Sequence, residues 1–218
     1  MRPDIGYRTA LTNIILKGAR LPQLAPQGGR LFVVGCSRSG TTLLLSRLAG
    51  HPEVYGFPET GLLLRLFGMR GRASALARLG LSLGREQKSL RKALASLGSD
   101  GASGSLDSRV ALPAPQTCLR AALCEGIRFF DQLAWSQGRS WWVEKTPRHY
   151  LYAQLITQQI PNTRVIHIIR DGASVVASIV DRARRHPERF SRQADPRYAI
   201  AQWNRAIRAH RNCWGKAG

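Results

Sequence analysis

The sequence predicts an α/β fold in which a parallel β-sheet carries helices on both faces. Two apolar, β-branched runs, residues 31–34 and 164–169, each lead through a glycine-containing turn into a helical segment. A third run, residues 141–143, is expected to be another buried strand. Strands that alternate with helices are joined by right-handed crossovers, which produce a parallel sheet covered on both faces. The 218 residues are expected to form a single domain, 1–218.

The individual elements follow the alternation of apolar runs with helical segments. The first half is expected to contain strand 31–34, helix 41–49, strand 54–57 and helices within 61–97. The second half is expected to contain helix 117–135, strand 140–144, helix 149–160, strand 164–169, helix 173–184 and helix 196–212. Asp195 and Pro196 support the last helix, because they form a good cap and first-turn pair.

The first candidate site is the turn at residues 35–42, which reads Gly-Cys-Ser-Arg-Ser-Gly-Thr-Thr. A glycine-framed loop between a strand and a helix points backbone N–H groups and the positive end of the helix dipole at a bound anion. Its spacing matches the Walker A frame, but Thr41 follows Gly40 where a nucleotide triphosphatase carries lysine. Arg38 supplies a cation inside the loop instead. The alternative is a tight turn whose glycines serve backbone geometry alone.

A second candidate site follows strand 164–169, where Arg170-Asp171-Gly172 leads into a helix. Ser174 and Ser178 lie four residues apart and share a face of that helix. Arg170 at the strand end and Ser178 two turns further on could hold one phosphate together. The alternative is a local ion pair between Arg170 and Asp171, with Ser178 as a small packing residue.

Together the two segments resemble the sulfotransferase superfamily, whose donor is 3′-phosphoadenosine 5′-phosphosulfate (PAPS). The resemblance implies a P-loop NTPase-like sheet and an enzyme that transfers a sulfuryl group from PAPS to a hydroxyl or amine acceptor. It also implies that the loop cradles the 5′-phosphosulfate through Arg38, Ser39, Gly40, Thr41 and Thr42. Arg170 and Ser178 would hold the 3′-phosphate, the contact that distinguishes this donor from ATP.

Further motifs are similar to the branch that contains tyrosylprotein sulfotransferases and many bacterial relatives. Residues 38–42 lead into His-Pro-Glu-Val at 51–54 and Pro-Glu-Thr at 58–60, where the resemblance implies that Glu59 is the base. Glu-Lys-Thr-Pro at 144–147 resembles the family's lysine-containing turn, and residues 201–207 resemble the helix after the donor motifs. The resemblance runs from about residue 31 to about residue 210, and residues 65–116 match nothing.

Sulfuryl transfer from a phosphate leaving group depends on alignment and charge stabilisation, by analogy with phosphoryl transfer. Arg38 and Lys145 are expected to stabilise the departing phosphate while Glu59 accepts the acceptor's proton. The competing interpretations are a solvated carboxylate or helix cap for Glu59 and a surface lysine for Lys145. His149, four residues after Lys145, is the rival base.

Composition bounds the compartment and the partners. The formal net charge of +20 is spread along the chain, without interleaved aromatics or a known nucleic-acid module, so specific nucleic-acid binding is not expected. The four cysteines show no metal-site spacing and no disulfide density, which favours a cytoplasmic protein without a bound metal. Nearby N–H groups are expected to lower the pKa of Cys36. The start of the sequence lacks the long apolar core of a secretory signal and no apolar run is long enough to span a membrane, so a soluble, intracellular protein is expected.

Three regions at the edges of the motifs complete the expected organisation. Residues 1–30 are expected to be an N-terminal extension, and residues 98–116, rich in Gly, Ser, Ala and Pro, a flexible loop. Relatives usually continue beyond the tryptophan helix, so the C-terminal part of the family domain is expected to be missing. The sheet edge this would expose favours self-association into a homo-oligomer.

Two other functions stay open, a P-loop phosphotransferase of the kinase type and a non-catalytic anion- or nucleic-acid-binding protein. For a sulfotransferase the sequence leaves the acceptor open among a carbohydrate, a lipid, a small metabolite and a peptide tyrosine. Residues 61–116 would determine that choice.

Overall fold

The computed structural model describes residues 28–67, 92 and 119–214, and within them four parallel strands form one sheet. The strands are β1 (Gly29–Gly35), β2 (Val54–Phe57), β3 (Trp141–Lys145) and β4 (Thr163–Ile168), in the order β2-β3-β1-β4. β1 lies at the centre, paired with β3 on one side and with β4 on the other. The predicted α/β fold with a parallel sheet is confirmed.

The helices described by the structure follow the predicted order. They are α1 (Thr41–Ala49), α2 (Leu62–Phe67), α3 (Leu119–Ser136), α4 (Ala153–Gln159), α5 (Gly172–Arg185), α6 (Pro187–Phe190) and α7 (Pro196–Trp214). Two 3₁₀ helices, Pro147–Tyr152 and Ser191–Ala194, precede α4 and α7. The predicted helix 149–160 is therefore wrong at its start, where a proline-led 3₁₀ turn stands in place of α-helix. The short helices between α5 and α7 were not expected, because segments of four residues leave no periodicity to detect.

Helices cover both faces of the sheet, as side-chain alternation in β2 shows. A Cβ at Gly56 would lie 2.5 Å from the Cβ of Ala49, so α1 approaches that face closely. The next residue, Phe57, stacks on Phe130 of α3 with ring centroids 4.3 Å apart. Since successive residues of a strand point to opposite faces, α1 and α3 pack on opposite sides.

A buried ion pair ties the beginning of the sheet to α3. Arg30 of β1 donates from Nε and Nη2 to the two carboxylate oxygens of Asp131, at 3.0 and 2.7 Å. Trp142 of β3 donates its indole N–H to the same carboxylate at 2.8 Å. Each of the three residues is no more than 2% exposed. These bonds satisfy a buried charge and set the position of α3 against β1 and β3.

Several predictions concern residues outside the described ranges. They are the N-terminal extension except for its last three residues, the loop 98–116, most of the helical region 61–97 and the first two residues of helix 117–135. Within the described residues, none of the helices is long and apolar enough to cross a membrane.

Candidate active site

The loop between β1 and α1 has the backbone of an anion cradle. Arg38 and Gly40 adopt positive φ angles, 74° and 99°. A Cβ at Gly35 would come within 2.6 Å of the carbonyl oxygen of Ile168, so only glycine allows β4 this close. An added Cβ at Gly40 would meet no atom of the described residues within 4 Å, so this side of the loop is open within that part of the chain.

Several hydrogen-bond donors of this loop lack partners within the described part of the chain. No side chain caps the first turn of α1, whose initial N–H groups have no acceptor inside the helix. The hydroxyl of Ser39 is buried and forms no hydrogen bond with any described residue. Thr41 is buried at the start of α1, and Thr42 is exposed beside it. Unpaired donors at a helix N-terminus are suited to phosphate or sulfate oxygens.

The structure brings the two predicted anion motifs into contact. Arg38 of the loop donates from Nε to the Ser178 hydroxyl of α5 at 3.0 Å, although the two lie 140 residues apart in sequence. Arg170, at the end of β4, approaches the carbonyl oxygen of Arg38 with Nη1 at 3.5 Å. Arg38, Arg170 and Ser178 therefore lie around the same end of the sheet.

Asp171 caps α5 and does not pair with its neighbour Arg170. Its carboxylate accepts a hydrogen bond from the backbone N–H of Ser174 at 2.8 Å, and this bond lowers the pKa of Asp171. Arg170 and Asp171 form no close ion pair, and the charge of Arg170 is the smallest of the causes that lower the pKa of Asp171. The indole N–H of Trp203 on α7 donates to the carbonyl oxygen of Arg170 at 3.1 Å, which fixes the backbone at that point.

Arg182 lies one helical turn beyond Ser178 and extends the same positively charged group. Its guanidinium stands 4.2 Å from the ring centroid of Phe190 and donates to Gln193 Oε1 at 2.6 Å. Burial and the positive charge of Arg38 lower the pKa of Arg182, while the carboxylate of Glu59 acts in the opposite direction. Sequence reasoning assigned no role to Arg182. The signal that could have found it is the four-residue spacing from Ser178.

The predicted base and the predicted lysine form an ion pair. Lys145 Nζ lies 3.2 Å from Glu59 Oε2. The lysine side chain is 9% exposed, whereas the glutamate side chain is 57% exposed. Glu59 Oε1 makes no hydrogen bond to the described residues, so this oxygen can accept a proton. The pair therefore combines a shielded cation with a carboxylate open to solvent.

Beside this pair lies a buried network around Glu144, which sequence reasoning did not assign. Glu144 Oε1 accepts from the backbone N–H and the hydroxyl of Thr60, at 3.3 and 2.8 Å, and from the Thr146 hydroxyl. Glu144 Oε2 lies 3.0 Å from His149 Nδ1. Burial acts to raise the pKa of Glu144, but His149 and the hydrogen bonds outweigh it and lower that pKa. The carboxylate is therefore charged and fully engaged.

His149 has both ring nitrogens occupied inside this network. Its Nε2 accepts from the backbone N–H of Leu63 at 3.2 Å, so the proton of the neutral ring lies on Nδ1 and points at Glu144. The side chain is completely buried. The geometry leaves His149 no free nitrogen for an acceptor, in contrast to Glu59.

Two further properties concern cysteine and metal chemistry. Burial raises the pKa of Cys36 to about 11, so the expectation of a lowered value is wrong. The loop N–H groups do not compensate for the loss of water around the thiol. Among the described residues, no group of three or more His, Cys, Asp or Glu side chains could hold a metal ion.

Comparison with known proteins gives one match. The sequence model described as "Sulfotransferase family" matches residues 30–218, which include every residue of the two anion motifs, the Glu59–Lys145 pair and the Glu144 network. No curated protein and no solved structure matches the chain.

Proposed function

Because this chain belongs to the sulfotransferase family, whose members transfer sulfuryl groups, we propose that it uses PAPS as donor and a hydroxyl or amine group as acceptor. The observation that carries the proposal is the 3.0 Å contact between Arg38 and Ser178, with Arg170 beside them. It joins the motif that resembles a 5′-phosphosulfate cradle to the motif that resembles a 3′-phosphate clamp. A donor with phosphates at both positions would engage the two motifs together.

The loop would bind the 5′ end of PAPS through hydrogen-bond donors that have no partner within the described residues. Ser39 contributes a buried, unpartnered hydroxyl within the described structure, and Gly40 borders open space. The first-turn N–H groups of α1, at Thr41 and Thr42, complete the set. When bound, the donor supplies the sulfuryl group and the phosphate that leaves.

Arg170 and Ser178 would hold the 3′-phosphate, and Arg182 adds positive charge next to them. Arg38 belongs to the loop and contacts Ser178, so its guanidinium could pair with either phosphate. Removal of Arg170 should therefore reduce preference for a 3′-phosphate more than it reduces binding of a simple 5′-nucleotide.

Lys145 and Glu59 would perform the transfer step. Lys145 is shielded from water, so solvent screens its charge only weakly. Together with Arg38 it can stabilise negative charge on the departing phosphate. Glu59 would accept the acceptor's proton at Oε1, the carboxylate oxygen not used by Lys145. We assign the base to Glu59 and not to His149, whose two ring nitrogens are both engaged.

Features of the site argue against the phosphotransferase alternative. Thr41 occupies the lysine position of a Walker A loop, and Asp171 is engaged as the cap of α5. The candidate acceptors are a carbohydrate, a lipid, a small metabolite and a peptide tyrosine.

The test is calorimetric titration of the full chain with adenosine 3′,5′-bisphosphate, using 5′-AMP and ATP with Mg²⁺ as comparison ligands. We expect the bisphosphate to bind at least tenfold more tightly than 5′-AMP, and Arg170→Ala to remove that preference. Arg184→Ala is the matched control, because it removes an exposed arginine of α5 that forms no ion pair with the described residues.

Three outcomes would contradict the proposal. Tighter binding of ATP than of the bisphosphate would favour a phosphotransferase. Equal binding of all three ligands with steep salt dependence would favour a non-catalytic anion-binding protein. An equal loss in Arg170→Ala and Arg184→Ala would assign the effect to net charge.

A further inference from the structure

We propose that Glu144 is a positioning residue of the transfer site, which holds residues 58–61 against the end of β3 and thereby places Glu59 opposite Lys145. The inference rests on the proposed function for the roles of Glu59 and Lys145. Glu144 itself touches neither of their charged groups and is completely buried.

The register of the loop after β2 depends on side chains, because backbone pairing stops before it. Parallel pairing between β2 and β3 ends with Phe57 opposite Glu144. Beyond that point hydrogen bonds run from Thr60 to the Glu144 carboxylate, from the Gly61 N–H to the Thr146 hydroxyl at 3.0 Å and from the Leu63 N–H to His149 Nε2 at 3.2 Å. Glu144 and Thr146 therefore continue the attachment of the two chains where the ladder has ended.

These bonds lie on one side of the chain and the Glu59–Lys145 pair on the other. Glu144 and Lys145 are successive residues of β3, so their side chains point to opposite faces. Thr60 bonds to the first, and the preceding residue, Glu59, pairs with the second. Any slip of the loop that breaks the Thr60 contacts would separate Glu59 from Lys145.

The charge on Glu144 is what makes the arrangement rigid. All groups that face its carboxylate donate: the N–H and hydroxyl of Thr60, the hydroxyl of Thr146 and Nδ1–H of His149. An amide in place of the carboxylate would carry an NH₂ group where one of the oxygens now accepts, so its two hydrogens would face the donors of Thr60 and Thr146 or that of His149. His149 cannot change tautomer freely, because its Nε2 accepts from Leu63 N–H. Glu144→Gln should therefore loosen the loop while nearly preserving volume.

The experiment measures the exposure of Lys145 directly, so it needs no acceptor. The full chain and its variants are treated briefly with an amine-reactive acetyl ester, and acetylation of each lysine is followed by peptide mass spectrometry. Lys145 should react slowly in the unaltered chain, because Glu59 pairs with it and water hardly reaches it. The exposed Lys92 serves as an internal standard for reagent.

Two variants test the role, and one controls for simple loss of stability. Glu144→Gln and Thr60→Val should each raise the acetylation rate of Lys145 about fivefold or more relative to Lys92. Thr60→Val nearly keeps the side-chain shape. It therefore still tests the positioning role if Glu144→Gln fails to fold. Asp131→Asn is the matched control, since it alters another buried carboxylate, which bonds to Arg30 and Trp142 and not to the loop.

The outcomes separate this inference from the proposed function. An unchanged Lys145 rate in the folded variants, or an equal rise in Asp131→Asn, overturns the positioning role. Binding of adenosine 3′,5′-bisphosphate should stay within twofold in Thr60→Val, because Thr60 contacts neither anion motif. Failure of the unaltered chain to bind the bisphosphate would count against the proposed function, while the acetylation result would still test the attachment of Glu59 to Lys145.

Discussion

Two histidines, the buried His149 and the partly buried His167, occupy opposite kinds of surroundings. Both ring nitrogens of His149 have hydrogen-bond partners, Glu144 and the Leu63 N–H. Both ring nitrogens of His167, on β4, are buried without a partner among the described residues. His167 is instead enclosed by rings: Tyr150 stacks at 6.1 Å, and His210 and Trp214 of α7 meet it edge-on at 5.1 and 5.4 Å.

The difference teaches that burial alone does not assign a role to a histidine. His149 belongs to the hydrogen-bonded network of Glu144, Thr60 and Thr146, which together with Glu59 and Lys145 forms the polar region. Its hydrogen bonds therefore help to hold the loop that carries Glu59. His167 belongs to an aromatic region that packs α7 on the sheet, where the ring acts as a flat apolar surface. Burial, aided by the charge of His210, lowers the pKa of His167 to about 4, so it stays neutral at ordinary pH.

The largest expected effect separates the two regions by activity. Glu59→Gln, in the polar region, should lower sulfuryl transfer by about 10²- to 10⁴-fold because the proton acceptor is lost. His167→Phe should leave transfer within about twofold. The measurement is the rate of adenosine 3′,5′-bisphosphate release from PAPS, with p-nitrophenol as a probe acceptor.

Binding of the bisphosphate should distinguish the roles of Glu59 and Arg38. Glu59→Gln should leave bisphosphate affinity nearly intact, whereas Arg38→Ala should weaken it about 10- to 100-fold through loss of a charged hydrogen-bond donor. Calorimetry on the two variants tests this. If both lost affinity equally, the roles assigned to Arg38 and Glu59 would be wrong.

The next effect concerns stability in the polar region. His149→Leu should lower the free energy of unfolding by about 3 kcal/mol, because Glu144 Oε2 and the Leu63 N–H would be left buried without partners. Urea unfolding measures the change. His51→Leu, at an exposed turn, is the control and should change stability by less than about 1 kcal/mol. Similar losses in both variants would contradict the difference between buried and exposed imidazoles.

Acid should act mainly on the aromatic region through His167. Its pKa is about 4 in the folded chain and 6.5 when unperturbed, so the unfolded chain binds the proton more readily. This contribution to stability is present above about pH 6.5 and is lost as pH falls toward 4. Because the ring is only partly enclosed, we expect a loss of about 2 kcal/mol.

The variant His167→Phe tests that assignment by keeping a ring against Tyr150 and removing the titration. Urea unfolding at pH 7 and pH 4.5 should show a smaller acid loss in the variant than in the unaltered chain. An identical loss in both proteins would assign the acid sensitivity to other groups, such as the buried carboxylates.

The smallest expected change in the free energy of unfolding comes from an exposed ion pair outside both regions. Asp181 and Arg185 form an exposed ion pair on α5, with side chains 59% and 64% exposed. Asp181→Asn should change the free energy of unfolding by less than about 0.5 kcal/mol, since solvent screens the pair. A loss near that of His149→Leu would show that burial does not govern these energies.

Much of the fold and of the candidate site could be predicted from local patterns. The apolar runs around Val33 and Ile166 marked the adjacent strands β1 and β4, and the glycines of residues 35–40 marked the loop between β1 and α1. The family resemblance implied that both motifs hold one donor, and the carboxyl ends of the adjacent parallel strands β1 and β4 lie at one edge of the sheet. The contact of Arg38 with Ser178 agrees with that expectation.

Other parts had no local signal. Glu144 looked like part of a lysine-containing turn, and nothing in its neighbours indicates that Thr60, 84 residues earlier, donates to it. The pKa of Cys36 was expected to fall because N–H groups lie near it in sequence, but burial, a property of the packed chain, raises it. The 3₁₀ start at Pro147 likewise depends on how the turn packs under the sheet.

The sequence by itself determined the family, the parallel sheet and the positions of the anion motifs, because periodicity and glycine spacing act over a few residues. Only the tertiary structure decided which polar groups are buried and which meet across the chain. Hydrogen bonds and desolvation depend on distances between atoms far apart in sequence, and these exist only after packing. For this reason His149 has hydrogen bonds at both ring nitrogens, whereas His167 packs among aromatic rings and forms no side-chain hydrogen bond with the described residues.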